Sequence, residues 1–186
     1  MKTSNNLTSL VNLLDSHERA ILALLQSFTF DRKGKIITCG NGGSACEAAH
    51  LTEELIGKYD KPRPPINSLC LSSDAMGLTC ISNDFGYQYI FSRQIEAVCS
   101  VYDTVVFFTT SGNSENIYNG ILAALKKNAK NIIVLSGKTG GKCKWLSLNN
   151  NSVKEIIVES DSSARIQEVH QFIMHELVEK AERELL

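Results

Sequence analysis

Apolar residues recur along this chain in two alternating patterns, one typical of strands and one typical of helices. From Asn6 to Ser27 they follow the spacing of an amphipathic helix, whereas Lys35–Cys39 is a short apolar run of strand length. Further strands are predicted at four runs: Ile66–Leu71, Thr104–Phe108, Asn131–Leu135 and Glu155–Val158. Further helices are predicted at Ser44–Gly57, Tyr87–Val98, Ser114–Lys127 and Ser163–Leu185, with a single helical turn near Met76–Ile81. The segment Gly137–Ser152 shows no regular pattern.

Strands that alternate with helices along a chain form parallel sheets covered by helices on both faces. The pattern therefore predicts an α/β fold with five parallel strands and an N-terminal helical extension over residues 1–30. The chain has 186 residues, which fits one domain over 1–186 because domains average about 150 residues.

Composition and charge exclude several classes of function. Nineteen basic and twenty acidic residues give a net charge of −1, so no excess of positive charge indicates nucleic acid or an anionic membrane surface as a partner. No apolar run approaches the roughly 18 residues that cross a bilayer, and the N-terminus lacks the pattern of a signal peptide. We therefore expect a cytoplasmic protein, whose six scattered cysteines are reduced thiols.

The first candidate for ligand binding is the glycine-rich loop from Cys39 to Ser44, which follows a predicted strand and precedes a predicted helix. In parallel sheets ligands bind at the carboxyl ends of the strands, and a helix N-terminus there offers free N–H groups to an anion. The loop also matches the dinucleotide pattern G-x-G-x-x-A, but no acidic residue ends the second strand, and Asp74 lies too far on. A tight turn without a ligand is the remaining alternative.

The second candidate is the segment from Thr109 to Ser114, which follows the apolar strand at Thr104–Phe108 and carries four hydroxyl groups. Hydroxyl and backbone N–H donors ahead of a helix that Ser114 caps would form a phosphate site without Lys or Arg. Such a neutral site favours a compact sugar phosphate over a triphosphate with magnesium. An ordinary turn with a helix cap is the alternative, and Asn83–Gly86 similarly predicts either a site for sugar hydroxyls or an Asx turn.

Two histidines and a carboxylate are the candidates for chemistry. His50 and Glu54 are four residues apart and share a helix face, and His175 lies among core-type residues of the last helix. These side chains suit either zinc coordination or general acid–base catalysis, and their spacing leaves both roles open, as it leaves a structural role for His175. Gln167 and His175 are about 12 Å apart on a regular helix, so an irregular helix or a second subunit would be needed to bring both to one centre.

Five motifs of this chain occur in the order seen in one enzyme family. They are Cys39–Ser44, His50–Gly57, Asn83–Gly86, Thr110–Ser114 and Arg165–His175. In these motifs the chain resembles the bacterial phosphoheptose isomerases, members of the sugar isomerase (SIS) domain family. The resemblance implies a single SIS domain, a homotetramer with active sites at subunit interfaces, and an N-terminal helix used in oligomer packing. It also implies isomerisation of sedoheptulose 7-phosphate to D-glycero-D-manno-heptose 7-phosphate, the first step of ADP- or GDP-heptose biosynthesis for lipopolysaccharide or capsule.

The resemblance also implies roles for individual residues. The proton-transfer pair would be Glu54 and His175. One zinc ion per active site would be held by His50, Glu54, Gln167 and His175. No nucleotide cofactor would be needed. The substrate-binding residues would be Asn41, Gly42, Gly43, Glu54, Asn83, Asp84, Thr109, Thr110, Ser111, Ser114 and Gln167. The alternatives within the family are a non-enzymatic sugar-phosphate sensor or adaptor and an isomerase of another phosphosugar.

Overall fold

The computed structural model describes residues 2–186 of the chain, with side chains from residue 5 onward, so Met1 of the predicted N-terminal segment lies outside the described residues. The helices are α1 (Lys2–Gln26), α2 (Gly43–Ile56), α3 (Ala75–Phe85), α4 (Ile90–Val98), α5 (Glu115–Lys126), α6 (Gly141–Asn149) and α7 (Ser163–Leu185), with a 3₁₀ turn at Tyr87–Tyr89. The strands are β1 (Ile36–Gly40), β2 (Ser68–Cys70), β3 (Thr104–Phe108), β4 (Asn131–Gly137) and β5 (Val153–Val158). Within residues 2–186, no helix is both long and apolar enough to span a membrane.

The five strands form one sheet in the order β2-β1-β3-β4-β5, and every neighbouring pair is parallel. The predicted α/β fold with five parallel strands is confirmed. From β1 the chain moves to one side of the sheet to form β2, then crosses back to the other side of β1 to form β3. The helices that follow β1 and β3 therefore leave the sheet in opposite directions, and a crevice opens between the ends of these two strands.

Alternate residues of the central strands enter two separate cores. On β3, Val106 and Phe108 join a buried cluster with α1, α2 and α7, whereas Val105 and Phe107 join a second cluster with α4, α5 and α6. All five residues of β3 are buried, as expected for a strand covered on both faces. The sheet is therefore a rigid base for the loops at its carboxyl edge.

Three sequence expectations about local structure are wrong. Asn83, Asp84 and Phe85 do not form a loop, because α3 continues through them and ends at Phe85. Gly86, which follows the helix, has a φ of 102° that suits glycine. The segment Gly137–Ser152 contains a helix, α6, which shows little helical pattern because only Cys143 and Leu146 of it are buried. The predicted cap at Ser114 is also absent, since its side chain makes no capping hydrogen bond although it occupies the position before α5.

An ion pair with a buried carboxylate lies beside the amino ends of β1 and β3, at the end of the sheet opposite the crevice. Asp103 is 1% exposed and accepts hydrogen bonds from the Lys35 ammonium at 2.7 Å, from the Lys35 N–H at 2.9 Å and from the Ser100 N–H at 2.8 Å. Burial by itself raises the pKa of the Asp103 carboxyl, but the bonds from Lys35 and Ser100 outweigh it and lower that pKa. The charged carboxylate therefore stabilises the native state.

We expect Asp103→Asn to lower the free energy of unfolding at pH 7 by about 3 kcal/mol, because it leaves the Lys35 ammonium without its charged partner. Since the pKa of Asp103 is lower in the folded chain, its stabilisation is present above the unfolded pKa of about 4 and is lost as pH falls through the folded value. Urea unfolding of both proteins at pH 7 and at acid pH measures the difference between their free energies of unfolding. This difference should be smaller at acid pH. Asp31→Asn, which alters the more exposed Asp31–Lys130 pair, is the control. It should lower the free energy of unfolding much less than Asp103→Asn does.

Candidate active site

The crevice between β1 and β3 contains a polar cavity of about 190 Å³. Its lining comes from the glycine-rich loop after β1, the hydroxyl-rich loop after β3 and one side chain of α7. The lining residues are Asn41, Gly43, Ser44, Phe108, Thr109, Thr110, Ser111, Ser114 and Gln167. The two loops that the sequence singled out thus meet in one cavity, because their strands are neighbours in the sheet. We call it the hydroxyl cavity.

The glycine-rich loop lets α7 approach the backbone closely. A Cβ atom at Gly43 would lie 2.2 Å from Nε2 of Gln167, so a larger residue there would displace the end of this side chain from the start of α2. Gly42 adopts a positive φ of 55°. The N–H of Gly43 therefore lies beside the Gln167 amide at the cavity wall, where both can donate to an anion, whereas the next two N–H groups of α2 donate to the carbonyl oxygens of Asn41 and Gly42 at 3.0 Å.

Of the four hydroxyl groups of the hydroxyl-rich loop, one holds the loop in shape and three line the cavity. Thr109 is 4% exposed, and its Oγ1 accepts the N–H of Gly112 at 3.2 Å, so it holds the loop in shape. Thr110, Ser111 and Ser114 are only partly buried and line the cavity. Because the hydroxyl of Ser114 makes no bond to α5, it remains available to a ligand. None of the described residues that line this cavity is Lys or Arg.

His50, Glu54 and His175 form a second group, which we call the His–Glu–His cluster. Nε2 of His50 lies 3.3 Å from Oε1 of Glu54, and the rings of His50 and His175 meet edge to face with centroids 5.4 Å apart. One ligand atom from each of the three residues lies within 4.8 Å of the other two. The spacing of four residues on α2 brings the first two together, and the packing of α7 on α2 adds the third.

Neighbouring side chains hold this cluster in place. Tyr59 stacks on the ring of His175 with centroids 5.6 Å apart, and its hydroxyl donates to Glu179 at 3.4 Å. Arg63 donates to the backbone oxygen of Glu54 at the end of α2 and to a carboxylate oxygen of Glu182 at 2.6 Å. These contacts fix the end of α2 against α7. Oε1 of Glu54 is turned to His50, and Oε2 makes no hydrogen bond to any described residue.

Gln167 and His175 lie at different points of the site. Helix α7 is continuous from Ser163 to Leu185, so the irregular helix that the sequence left open is not present. His175 joins the cluster of its own chain, whereas Gln167, two turns earlier, lines the hydroxyl cavity. The turn between them carries Gln171, whose amide contacts Nδ1 of His50. No sequence motif assigns Gln171 a role, although its spacing of four from both Gln167 and His175 places it on the same helix face.

A buried pair also joins the two helices. Nδ1 of His170 lies 3.6 Å from Oε1 of Glu47, and Nε2 of His170 donates to the carbonyl oxygen of Ser136 at 3.0 Å. Neither Nδ1 nor the two Glu47 oxygens has a hydrogen-bond partner among the described side chains and backbone. At 3.6 Å the pair is a contact between buried side chains rather than a hydrogen bond. It ties α2 to α7 beside the cluster.

Asn83 and Asp84 lie apart from both groups. They are exposed on the last turn of α3, where Nδ2 of Asn83 donates to Oδ1 of Asp84 at 2.8 Å. Neither side chain lines the hydroxyl cavity. The segment is linked to the site by Tyr87, whose hydroxyl donates to Oδ1 of Asn41 at 2.9 Å.

Comparison with known proteins assigns the family. The family model described as the SIS domain matches residues 5–137 of this chain. Phosphoheptose isomerase of Histophilus somni is 43% identical over 163 residues, which are 88% of this chain and 80% of that protein. That of Yersinia pestis (strain Pestoides F) is 42% identical over 174 residues, 93% of this chain and 86% of that protein. The chain belongs to the phosphoheptose isomerase family.

The fold agrees with this assignment. The structure of a phosphoheptose isomerase from Francisella tularensis superimposes with a TM-score of 0.86 at 29% identity and covers 98% of this chain and 97% of that one. The resemblance that the five motifs carried is thereby confirmed, as is the single-sheet α/β architecture of this family. The match extends over α7, which lies beyond the residues covered by the SIS-domain model and carries His175.

Proposed function

We propose that the protein is an isomerase that interconverts sedoheptulose 7-phosphate and D-glycero-D-manno-heptose 7-phosphate through an enediol. The observation that carries the proposal is the pairing, on α2 and α7, of a hydroxyl-lined anion cavity with the His–Glu–His cluster. Membership of the phosphoheptose isomerase family supports this substrate over other phosphosugars. The product would enter the synthesis of ADP- or GDP-heptose for lipopolysaccharide or capsule.

The hydroxyl cavity would bind the phosphate. Its volume of about 190 Å³ suits one phosphate group with the adjoining carbons of a sugar. Asn41, Gly43, Ser44, Thr110, Ser111, Ser114 and Gln167 would supply hydroxyl, amide and backbone donors. Thr109 and Gly42 would act through the shape of their loops. Asn83 and Asp84 remain predicted contacts of the sugar hydroxyls.

The cluster would carry out the proton transfers. Isomerisation moves a hydrogen between C1 and C2 while a second proton moves between the oxygens on these carbons, so one base must face carbon and another group must face oxygen. We assign the proton transfer at the carbon atoms to Glu54, because its Oε2 makes no hydrogen bond to any described residue. We assign the proton transfer at the oxygen atoms to His175. Tyr59 and Arg63 would keep both groups in position, since each contacts one member of the pair and also α7.

The same cluster fits a divalent metal ion such as zinc. Two imidazole nitrogens and a carboxylate oxygen within 4.8 Å of one another are a donor set that zinc accepts. We propose His50, Glu54 and His175 as ligands. Gln167, which the family resemblance predicts as the fourth, lines the hydroxyl cavity two turns along α7 from His175, so a neighbouring subunit would have to supply it. When bound, such an ion would polarise the substrate carbonyl. Gln171 would orient the His50 ring, because an amide can donate to Nδ1 or accept from it.

We expect the purified protein to bind one zinc ion per chain in a calorimetric titration after chelation. His50→Ala and His175→Ala should weaken binding by at least about 100-fold, because the loss of even an outer partner of a ligand costs about 10- to 100-fold. Gln171→Ala, which removes such an outer partner, should weaken it by about tenfold. His17→Ala on α1 is the control and should leave the affinity unchanged. Equal affinity in all four variants would exclude the cluster as the metal site.

The proposed assembly is a homotetramer, and the proposed location is the cytoplasm. A homotetramer with active sites between subunits is supported by apolar side chains that α1 leaves exposed, Leu7 at 63%, Val11 at 46% and Leu22 at 50%. Residues 1–30 would pack in that assembly. A charged sugar phosphate does not cross a bilayer unaided, which supports the cytoplasm as the place of the reaction.

The substrate is tested by a panel of phosphosugars followed by NMR. We expect sedoheptulose 7-phosphate to be converted to an aldoheptose phosphate, and fructose 6-phosphate and ribulose 5-phosphate to be converted at least about 100-fold more slowly, with and without added zinc. Turnover of another member of the panel in preference would identify a different phosphosugar isomerase. Binding of sedoheptulose 7-phosphate without turnover would instead indicate a sensor or adaptor and contradict the proposal.

A further inference from the structure

A reciprocal pair of amide hydrogen bonds joins the glycine-rich loop to α5. Nδ2 of Asn41 donates to Oδ1 of Asn116 at 2.8 Å, and Nδ2 of Asn116 donates to Oδ1 of Asn41 at 2.9 Å. Asn116 is 2% exposed and lies on the first turn of the helix that follows the hydroxyl-rich loop. Asn41 is partly buried and lines the hydroxyl cavity. The pair therefore connects a lining side chain to a buried one.

The orientation of both amides is fixed by a backbone group. The N–H of Ile117 donates to Oδ1 of Asn116 at 2.9 Å, and a backbone N–H can only donate. The oxygen of Asn116 must therefore occupy that side of its amide, and the nitrogen the other. Asn41 then has to present its nitrogen to the oxygen of Asn116 and its oxygen to the nitrogen of Asn116.

A second donor completes the arrangement. The hydroxyl of Tyr87 donates to Oδ1 of Asn41 at 2.9 Å, so this oxygen accepts two hydrogen bonds and its acceptor capacity is used. The nitrogen of Asn41 carries two hydrogens, of which one goes to Asn116. Asn41 can thus offer the cavity one N–H donor and no acceptor.

We propose that Asn116, assisted by Tyr87, is a positioning residue that holds Asn41 as a donor-only group toward an anion in the hydroxyl cavity. An unrestrained asparagine could turn its carbonyl oxygen to the cavity and repel a phosphate. The fixed amide removes that alternative and leaves no conformational freedom to be lost on binding. For the identity of the sugar the inference rests on the proposed function, whereas the anion it concerns is a phosphate group in general.

The test is a double-mutant cycle between Asn41 and Asn116, read as the dissociation constant of inorganic phosphate and as the KM and kcat of sedoheptulose 7-phosphate. Asn41→Ala should weaken phosphate binding and raise KM by about tenfold, the usual effect of one hydrogen bond to a charged group. Asn116→Ala should cause nearly the same loss, with a much smaller change in kcat. The double variant should be no worse than Asn41→Ala, because Asn116 acts through Asn41.

Two further variants separate positioning from general structure. Tyr87→Phe removes one bond to Asn41 and should weaken phosphate binding only about two- to threefold. Asn119→Ala truncates the same type of side chain one turn along α5, where its amide donates to the backbone oxygen of Gln88, and should leave phosphate binding unchanged.

The remaining outcomes overturn either the inference or the proposed function alone. Phosphate affinity within twofold of wild type in Asn116→Ala, or additive losses in the double variant, would show that Asn116 does not act through Asn41. Failure of wild type to bind phosphate would remove the anion site itself. If wild type and variants bind phosphate as expected but sedoheptulose 7-phosphate is not converted, only the proposed function fails.

Discussion

Glu54→Gln is expected to lower kcat for sedoheptulose 7-phosphate by about 10³-fold, while KM changes little. Glutamine has the shape of glutamate but cannot take a proton from carbon, and a positioned acid–base group contributes about 10²- to 10⁴-fold to a rate. The side chain of Glu54 is 19% exposed and its Oε1 faces His50 at 3.3 Å, so the amide should occupy the same place. Rates of wild type and variant, measured by NMR with saturating substrate and at equal zinc content, would give the decrease in kcat.

The neighbouring glutamate provides a matched control. Glu53 also approaches His50, with Oε1 3.8 Å from Nε2, but its side chain is 73% exposed. Glu53→Gln makes the same chemical change one residue away and should alter kcat less than twofold, as expected for an exposed carboxylate that takes no part in the proton transfer. Equal losses in the two variants, or more than a tenth of wild-type activity in Glu54→Gln, would remove Glu54 from its assigned role.

Gly112→Ala should have the second large effect, on stability and activity together. Gly112 has a φ of 65°, and a Cβ there would lie 1.9 Å from the carbonyl oxygen of Gly140. The obstacle is backbone and cannot rotate away, so the hydroxyl-rich loop or the start of α6 must move. We expect the free energy of unfolding to fall by about 3 kcal/mol, from the positive φ and the overpacking together. Displacing the hydroxyls that we propose to bind the phosphate should lower kcat/KM by about 10²-fold.

Gly42→Ala separates the two contributions to stability. Gly42 has a similar φ of 55°, but a Cβ there would meet no atom within 4 Å. Because ψ of Gly42 is −119°, a backbone conformation accessible chiefly to glycine, its alanine variant should lose only the cost of that conformation, about 2 kcal/mol, in the same denaturant titration. If both variants lost equal stability, the close approach of Gly112 to Gly140 would not be the cause.

The sequence predicted elements well where the chemistry of their ends was distinctive. Helix α7 has the predicted bounds, Ser163–Leu185, because Ser162 caps it by accepting the N–H of Arg165 and apolar residues recur along it. Strand β3 likewise has the bounds of its apolar run, Thr104–Phe108. Strand β2 is shorter than predicted, since only Ser68–Cys70 pair with β1 at the edge of the sheet.

The candidate site could be predicted in part for a similar reason. The i, i+4 spacing placed His50 beside Glu54, and strand order placed the two loops in one crevice. The contact of His50 with Gln171 depends on how α2 packs against α7, which no local pattern specifies. The pairing of Asn41 with Asn116 joins residues 75 positions apart and is visible only after folding.

The most direct test of the account is to incubate the zinc-loaded protein with sedoheptulose 7-phosphate in deuterated water and to follow the sugar by NMR. Proton transfer through an enediol predicts an aldoheptose 7-phosphate that gains deuterium at C2 over many turnovers, and about 10³-fold slower formation of this product with Glu54→Gln. A ketose that is bound but stays unchanged, or an aldose that keeps only protium at C2 at equilibrium, would contradict isomerisation by the His–Glu–His cluster.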